Sequence, residues 1–96
     1  MSKEANKVTR SRFELEDHGE IAYLEFDRDS QGWMTILHTE VPPAMRGQGV
    51  ASELAQTAFE YAKQNNLRVD VICPLAADFA AKHPEYQSLI GKQTNE

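Results

Sequence analysis

The chain has 96 residues, of which 41% are hydrophobic and 26% charged, a composition that indicates one small folded domain. Its formal net charge is −5, which disfavours binding to nucleic-acid phosphates and is compatible with cationic partners such as amines, although a solvated acidic surface explains the same charge. No apolar run approaches the ~20 residues of a membrane-spanning helix, and the N-terminus lacks the apolar core of a signal peptide. We therefore expect that the protein does not bind membranes. The single cysteine, Cys73, cannot form an internal disulfide, so a cytoplasmic location is expected.

The first half of the chain predicts an antiparallel sheet. Residues 1–12 are polar and predict a flexible N-terminal segment, so a single domain is expected to span residues 13–96. Apolar and acidic residues alternate over residues 13–16, which is typical of a short half-buried strand. A second strand is predicted over residues 21–27 and a third, the most apolar, over residues 33–41. Short turn-forming segments separate the strands, so a three-stranded meander is expected.

The hydrophobic period changes in the second half of the chain. Apolar residues recur at helical spacing from Val50, and Asn65 and Asn66 are a plausible end to this helix. A fourth strand is predicted over residues 67–73, followed over residues 75–90 by one helix broken near His83 or by two short helices. The order β-β-β-α-β-α predicts the α+β class.

The junction between the third strand and the central helix is unusual. The strand ends at two prolines, and between Pro43 and Ala51 the sequence offers none of the Ser, Thr, Asp or Asn residues that usually cap a helix. It offers Arg46, Gly47, Gln48 and Gly49, which together with the helix dipole predict a cradle for a phosphate. The alternative is a tight turn whose amides are satisfied by water. The motif is neither a P-loop nor a dinucleotide-binding fingerprint, because G-K-[S/T] and the third glycine are missing.

This junction and three further motifs resemble the GNAT acetyltransferases, which bind acetyl-CoA. The segment 46–51, "RGQGVA", resembles their [Q/R]-x-x-G-x-[G/A] pyrophosphate loop, which also follows a strand and begins a helix. H-T-x-V from His38, C-P from Cys73 and H-P-x-Y from His83 flank it in an order similar to that of a compact GNAT-like family. The resemblance implies a minimal GNAT-like fold and an acetyl-CoA-dependent N-acetyltransferase. A CoA- or acyl-CoA-binding module without turnover, acting as a sensor or carrier, is the alternative.

The same resemblance implies which residues contact acetyl-CoA. The pyrophosphate is expected at the backbone N–H groups of Arg46, Gly47, Gln48, Gly49, Val50 and Ala51. The amides of the pantetheine arm are expected to pair with the end of the third strand, at Thr39, Glu40 and Val41. No metal ion is expected.

Acetyl transfer to an amine needs a base for the amine and a proton for the departing thiolate. Cys73, if it accepted the acetyl group first, would give a two-step mechanism; the alternative is a small buried apolar residue. His38, predicted on the same strand face as Ile36 and Glu40, is a candidate base, as is Glu40 itself, directly or through a water. The alternatives are a half-buried histidine and a surface acid. The resemblance to the GNAT family implies that Tyr86 protonates the departing thiolate. The alternative is a tyrosine that packs in the core and holds the C-terminal helix in place.

Full-length GNAT domains usually have two helices after the first strand and two further strands after the last helix, and these shape the acceptor pocket. Here a turn of about four residues joins the first two strands, so most of the acceptor-binding half is expected to be missing. The acceptor is an unidentified amine. An open groove suits either a polypeptide amine or a small polyamine, and the acidic hairpin favours either. A monomer or a weak homodimer is expected.

Overall fold

The computed structural model describes residues 7–91. Four strands, two α-helices and two short 3₁₀ helices follow one another along this part of the chain. The strands are β1 (Val8–Asp17), β2 (Glu20–Asp29), β3 (Trp33–Glu40) and β4 (Arg68–Val71). The helices are a 3₁₀ helix at Pro43–Met45, α1 (Val50–Gln64), α2 (Pro74–Ala81) and the C-terminal 3₁₀ helix (Pro84–Leu89).

The strands form a single sheet in the order β1-β2-β3-β4. β1, β2 and β3 pair antiparallel, and β4 pairs parallel to β3 after the crossover through α1. The predicted meander, the central helix and the α+β class are confirmed. The segment after β4 forms two short helices that break at His83, which was one of the two predicted arrangements.

The first strand begins earlier than the sequence predicted. Val8 already pairs with Asp29, so residues 8–12, which the sequence analysis included in the N-terminal segment 1–12, belong to β1. Residues 1–6 of that segment lie outside the described part of the chain. The reason is that the polar side chains of this stretch have partners on β2. Arg10 Nε donates to Asp27 Oδ1 at 2.9 Å, and this pair raises the pKa of the Arg10 guanidinium. Polar composition therefore did not prevent strand formation here.

The hydrophobic core lies between one face of the sheet and α1. The helix buries Leu54, Ala58 and Phe59 against this face, as its apolar period requires. The C-terminal elements pack on α1 through a stack of rings, in which Phe59 lies 5.2 Å from Tyr86 and 6.1 Å from Phe79. The largest fully buried side chains are Phe59, Leu24, Met34, Ile36, Leu54 and Val69. In the described region, neither helix is long and apolar enough to cross a membrane.

A β-bulge divides β3 into two parts. Phe26 of β2 faces Ile36, but the preceding residue, Glu25, faces His38, so Leu37 is an extra residue on β3. Because of this extra residue, Ile36 and Thr39 both point into the core, whereas His38 is exposed. The prediction that His38 and Ile36 share a strand face was therefore wrong. The His38 side chain lies on the outer face of the sheet, opposite the face that packs against α1.

Candidate functional site

A groove of about 410 Å³ lies where β3 ends and α1 begins. It is bounded on one side by the end of β3 and on the other by the loop before α1 and the start of α2. Its lining residues are Thr39, Glu40, Val41, Met45, Arg46, Gly47, Gly49, Val50, Ala51, Ser52 and Leu75. The end of β3 and the loop before α1, which the family resemblance assigned to two parts of one cofactor, thus lie along one concave surface.

The N-terminus of α1 opens onto this groove without a cap. Gly49 is the N-cap residue, and no side chain of residues 7–91 accepts a hydrogen bond from the first turn. The first amide with an acceptor inside the helix is that of Glu53, which donates to the Gly49 carbonyl at 3.0 Å. The amides of Val50, Ala51 and Ser52 precede it and have no intrahelical acceptor. Together with the helix dipole they form a positively polarised end that suits an anion.

Two glycines shape the loop that leads into α1. Gly47 and Gly49 have φ values of 78° and 75°, in the left-handed region that side-chain-bearing residues rarely adopt. An added Cβ at either position meets no protein atom within 4 Å. The glycines are therefore required by backbone conformation rather than by crowding within the chain. The space beside them is open to a ligand.

Two polar side chains of the loop bond back to the backbone. Arg46 Nε donates to the Val41 carbonyl at 3.0 Å, which ties the loop to the end of β3. Gln48 Nε2 donates to the Ala44 carbonyl at 3.2 Å, and Gln48 is the one predicted loop residue that does not line the groove. The Val41 carbonyl, predicted to pair with a ligand, already accepts one hydrogen bond. The remaining guanidinium nitrogens of Arg46 keep its positive charge at the groove.

The exposed pair of His38 and Glu40 lies beside the groove. The two atoms His38 Nε2 and Glu40 Oε1 are 3.1 Å apart, and the side chains are 54% and 49% exposed. A carboxylate only accepts hydrogen bonds, so Nε2–H donates and the neutral ring keeps its Nδ1 lone pair. Glu40 also lines the groove, so this pair connects the groove to the outer face of the sheet. The geometry is that of an oriented imidazole that can accept a proton.

Cys73, by contrast, is buried. It is 3% exposed, its Sγ lies 3.3 Å from Thr39 Oγ1, and it is not among the groove-lining residues. As the N-cap residue of α2 it begins a helix without capping it through its side chain. A thiol in these surroundings is typical of a packed core cysteine.

Tyr86 and His83 do not reach the groove. The Tyr86 hydroxyl donates to Glu60 Oε2 at 2.7 Å, and this hydrogen bond, followed by burial, raises the pKa of Tyr86 to about 12. Glu60 lies roughly 15 Å along the axis of α1 from Val50, at about 1.5 Å per residue. The His83 ring stacks on Phe79 at 3.9 Å, and its Nδ1–H donates to the Phe79 carbonyl at 2.8 Å. The candidate thiolate acid, Tyr86, is placed in the core, as the packing interpretation predicted.

Three lining residues were missed by the sequence analysis: Met45, Ser52 and Leu75. Ser52 had a usable signal, because it lies in the first turn of the helix beside the candidate cradle. Leu75 had a weaker one, since it follows the C-P motif, and it is 50% exposed despite its apolar side chain. Among residues 7–91 there is no cluster of three side chains that could hold a metal ion.

Comparison with known proteins relates this fold to acetyltransferases. A solved structure from Agrobacterium tumefaciens, assigned provisionally as an acetyltransferase, is similar with a TM-score of 0.56 over 85% of this chain and 61% of that chain, at 23% identity. This likeness concerns the fold. The family model of GCN5-related N-acetyltransferases matches residues 12–89, and the chain belongs to this family.

Vertebrate relatives support the assignment. Protein NATD1 of Bos taurus is 40% identical over 68 residues, which is 71% of this chain and 60% of that protein. Protein NATD1 of Homo sapiens is 35% identical over the same shares of the two chains. The matched region of this chain thus spans about 60% of the length of these curated relatives.

Proposed function

We propose that this chain is an N-acetyltransferase that takes an acetyl group from acetyl-CoA and gives it to an amine. The observation that carries the proposal is the uncapped N-terminus of α1, which opens onto a groove continuous with an exposed histidine–glutamate pair. The family of the chain supports acyl transfer as the reaction class. The residues themselves supply the proposed binding and proton-transfer roles.

The groove suits the diphosphate of CoA. Three amides without helical acceptors, the positive end of the α1 dipole and the charge of Arg46 all favour an anion at the same place. Gly47 and Gly49 leave open space beside these amides. The pantetheine arm is assigned to the end of β3, at Thr39, Glu40 and Val41. Bound there, the co-substrate supplies a thioester whose carbonyl carbon is open to attack.

His38 is the proposed base. A free alkylamine has a pKa of ~10.4 and attacks only after losing its proton. The lone pair on His38 Nδ1 accepts that proton, while Glu40 holds Nε2–H and stabilises the charged ring. The amine nitrogen bonds to the carbonyl carbon and loses its second proton, the C–S bond breaks, and the departing CoA thiolate takes up a proton through solvent. Glu40 acts here as a positioning residue.

Transfer in one step is favoured over an acetyl-cysteine. The nucleophile of a two-step mechanism is a thiolate that the thioester can reach. Cys73 is 3% exposed and does not itself line the groove, although its sulfur contacts Thr39, which does. The exposed histidine, on the other hand, is accessible to an incoming amine. We therefore assign Cys73 to the core and the proton transfer to His38.

The test is an amide NMR titration with acetyl-CoA, combined with intact-mass spectrometry and an amine-acceptor screen. We expect shifts centred on residues 46–52, no acetyl adduct on Cys73, and acetylated acceptor in the screen. Shifts without any acetylated product would instead support the binding module without turnover. A stable adduct on Cys73 would replace the one-step mechanism by the two-step one. If the loop does not shift at all, the proposed site is wrong.

A further inference from the structure

The outer face of the sheet carries an aromatic ring surrounded by charge. Tyr23 of β2 lies between Glu14 of β1 and Glu40 of β3 in the strand register. Glu25, two residues further along β2 on the same face, lies between Arg12 and His38. We call these six residues the Tyr23 face. Its side chains stay partly or fully exposed, and the helices pack against the opposite face of the sheet.

The Tyr23 ring already holds a cation. The guanidinium carbon of Arg12 lies 4.1 Å above the ring centroid, within the range of a cation–π contact. The remaining restraint on this guanidinium is weak, since Arg12 Nη1 lies 3.6 Å from Glu14 Oε2, beyond hydrogen-bond distance, and both side chains are about half exposed. An exposed side chain held this loosely can be displaced by a ligand of the same charge.

The charges of the Tyr23 face do not balance. Its three carboxylates, on Glu14, Glu25 and Glu40, oppose the single guanidinium of Arg12. Two residues away on β1 the charges do balance, because Arg10 bonds to both carboxylate oxygens of Asp27, at 2.9 and 3.2 Å. The excess negative charge therefore begins beyond the Arg10–Asp27 pair, at Tyr23 and its neighbours, and Glu16, two residues beyond Glu14 on β1, adds to it. Such a surface is complementary to a small cationic ligand.

This face is continuous with the proposed reaction site. The His38 ring centroid lies 6.1 Å from that of Tyr23, and Glu40 both contacts His38 and lines the groove. An amine that gives its proton to His38 would thus have the Tyr23 ring one short alkyl chain away. A second ammonium group on the same molecule would reach the ring.

We propose that the Tyr23 face binds the second cationic group of an aliphatic polyamine acceptor, in the place that Arg12 takes when no acceptor is bound. This inference rests on the proposed function for the amine at His38, but the cation site itself is independent of acetyl-CoA. A polyamine is favoured over a polypeptide because the Tyr23 ring holds a single cationic group and lies one short alkyl chain from His38. A polypeptide interface usually extends over about 800 Å² per partner.

The test measures binding of spermidine to the full chain without acetyl-CoA, by NMR of the Tyr23 ring and of the strand amides. We expect shifts confined to the Tyr23 face. Arg12→Gln should tighten spermidine binding about two- to fivefold, because the competing guanidinium is gone. Arg10→Gln is the matched control: it removes the same charge from the same face without touching Tyr23, and its gain should be smaller. Tyr23→Leu should weaken binding by a similar factor.

Equal gains for Arg12→Gln and Arg10→Gln would overturn the proposal, since long-range charge alone would then explain binding. So would butylamine binding as tightly as spermidine, because one ammonium group would suffice. A lysine peptide that binds more tightly than spermidine at the same residues would refute the small-molecule assignment. A separate CoA titration of the loop distinguishes the two hypotheses. If CoA shifts the loop but spermidine does not shift Tyr23, only this inference is refuted. If spermidine shifts Tyr23 but CoA does not shift the loop, only the proposed function is refuted.

Discussion

Replacing Gly49 by glutamate tests the proposed anion site most directly, and the chain contains its own control. Gly49 has a φ of 75° at the N-cap of α1, and Gly19 has a φ of 82° in the turn between β1 and β2. At both positions an added Cβ meets no protein atom within 4 Å. Gly49→Glu and Gly19→Glu therefore share the cost of a side chain in the left-handed region, about 1–2 kcal/mol.

This shared cost corresponds to a fall in melting temperature of about 4–8 °C per kcal/mol for a domain of this size. The two variants differ in CoA binding, because only Gly49 lines the groove. A glutamate there places bulk and negative charge beside the diphosphate, so we expect Gly49→Glu to lose at least about tenfold in affinity, or ~1.4 kcal/mol. Gly19→Glu should bind CoA as the unmodified chain does. Calorimetric titration with CoA, at a temperature where both variants are folded, gives the comparison. Equal affinities for the two variants would refute the anion site.

Three further predictions concern the other candidate residues. His38→Gln should lower turnover by about 10²–10⁴-fold while leaving CoA affinity unchanged, and Glu40→Gln should lower it less; unchanged turnover in His38→Gln would exclude the proposed base. Cys73→Ala should keep turnover and lose about 1–2 kcal/mol of stability in denaturant unfolding, whereas loss of turnover in a folded variant would restore the two-step mechanism. Tyr86→Phe should also keep turnover. The pKa of Tyr86 is raised to about 12 by the hydrogen bond to Glu60 and by burial. The stabilisation from this hydrogen bond is therefore complete below pH ~10, the usual pKa of a tyrosine, and is lost as the pH rises towards 12. A spectrophotometric titration in which Glu60→Gln does not lower the pKa of Tyr86 would contradict this assignment.

Much of the fold could be predicted because the relevant signals are local. Alternating side chains marked β2 and β3, helical spacing marked α1, and two prolines marked the end of β3. The uncapped start of α1 was also predictable, since an absent cap and two glycines are visible in a short stretch around Gly49. The resemblance to the family then gave the ligand that such a site would hold.

The errors arose where distant residues decide the outcome. The polar residues near Arg10 predicted a flexible segment, and only the contact with Asp27 on the neighbouring strand explains why they form a strand. The face on which His38 lies depends on the extra residue Leu37, which alternation alone does not reveal. Tyr86 matched a motif, but its role depends on Glu60, which is 26 positions away in the chain. In each case the missing information was a tertiary contact.

The bulge at Leu37 makes β3 tolerant of the loss of one residue. Deleting Leu37 would leave Phe26 opposite Ile36, Glu25 opposite His38 and Leu24 opposite Thr39, so regular alternation is restored and every position that follows keeps its face. His38 would stay on the outer face and Thr39 in the core, although the strand would lose the local bend that a bulge introduces. A single-codon deletion at this position would therefore test whether the bend itself, rather than the face on which His38 lies, matters for the proposed proton transfer.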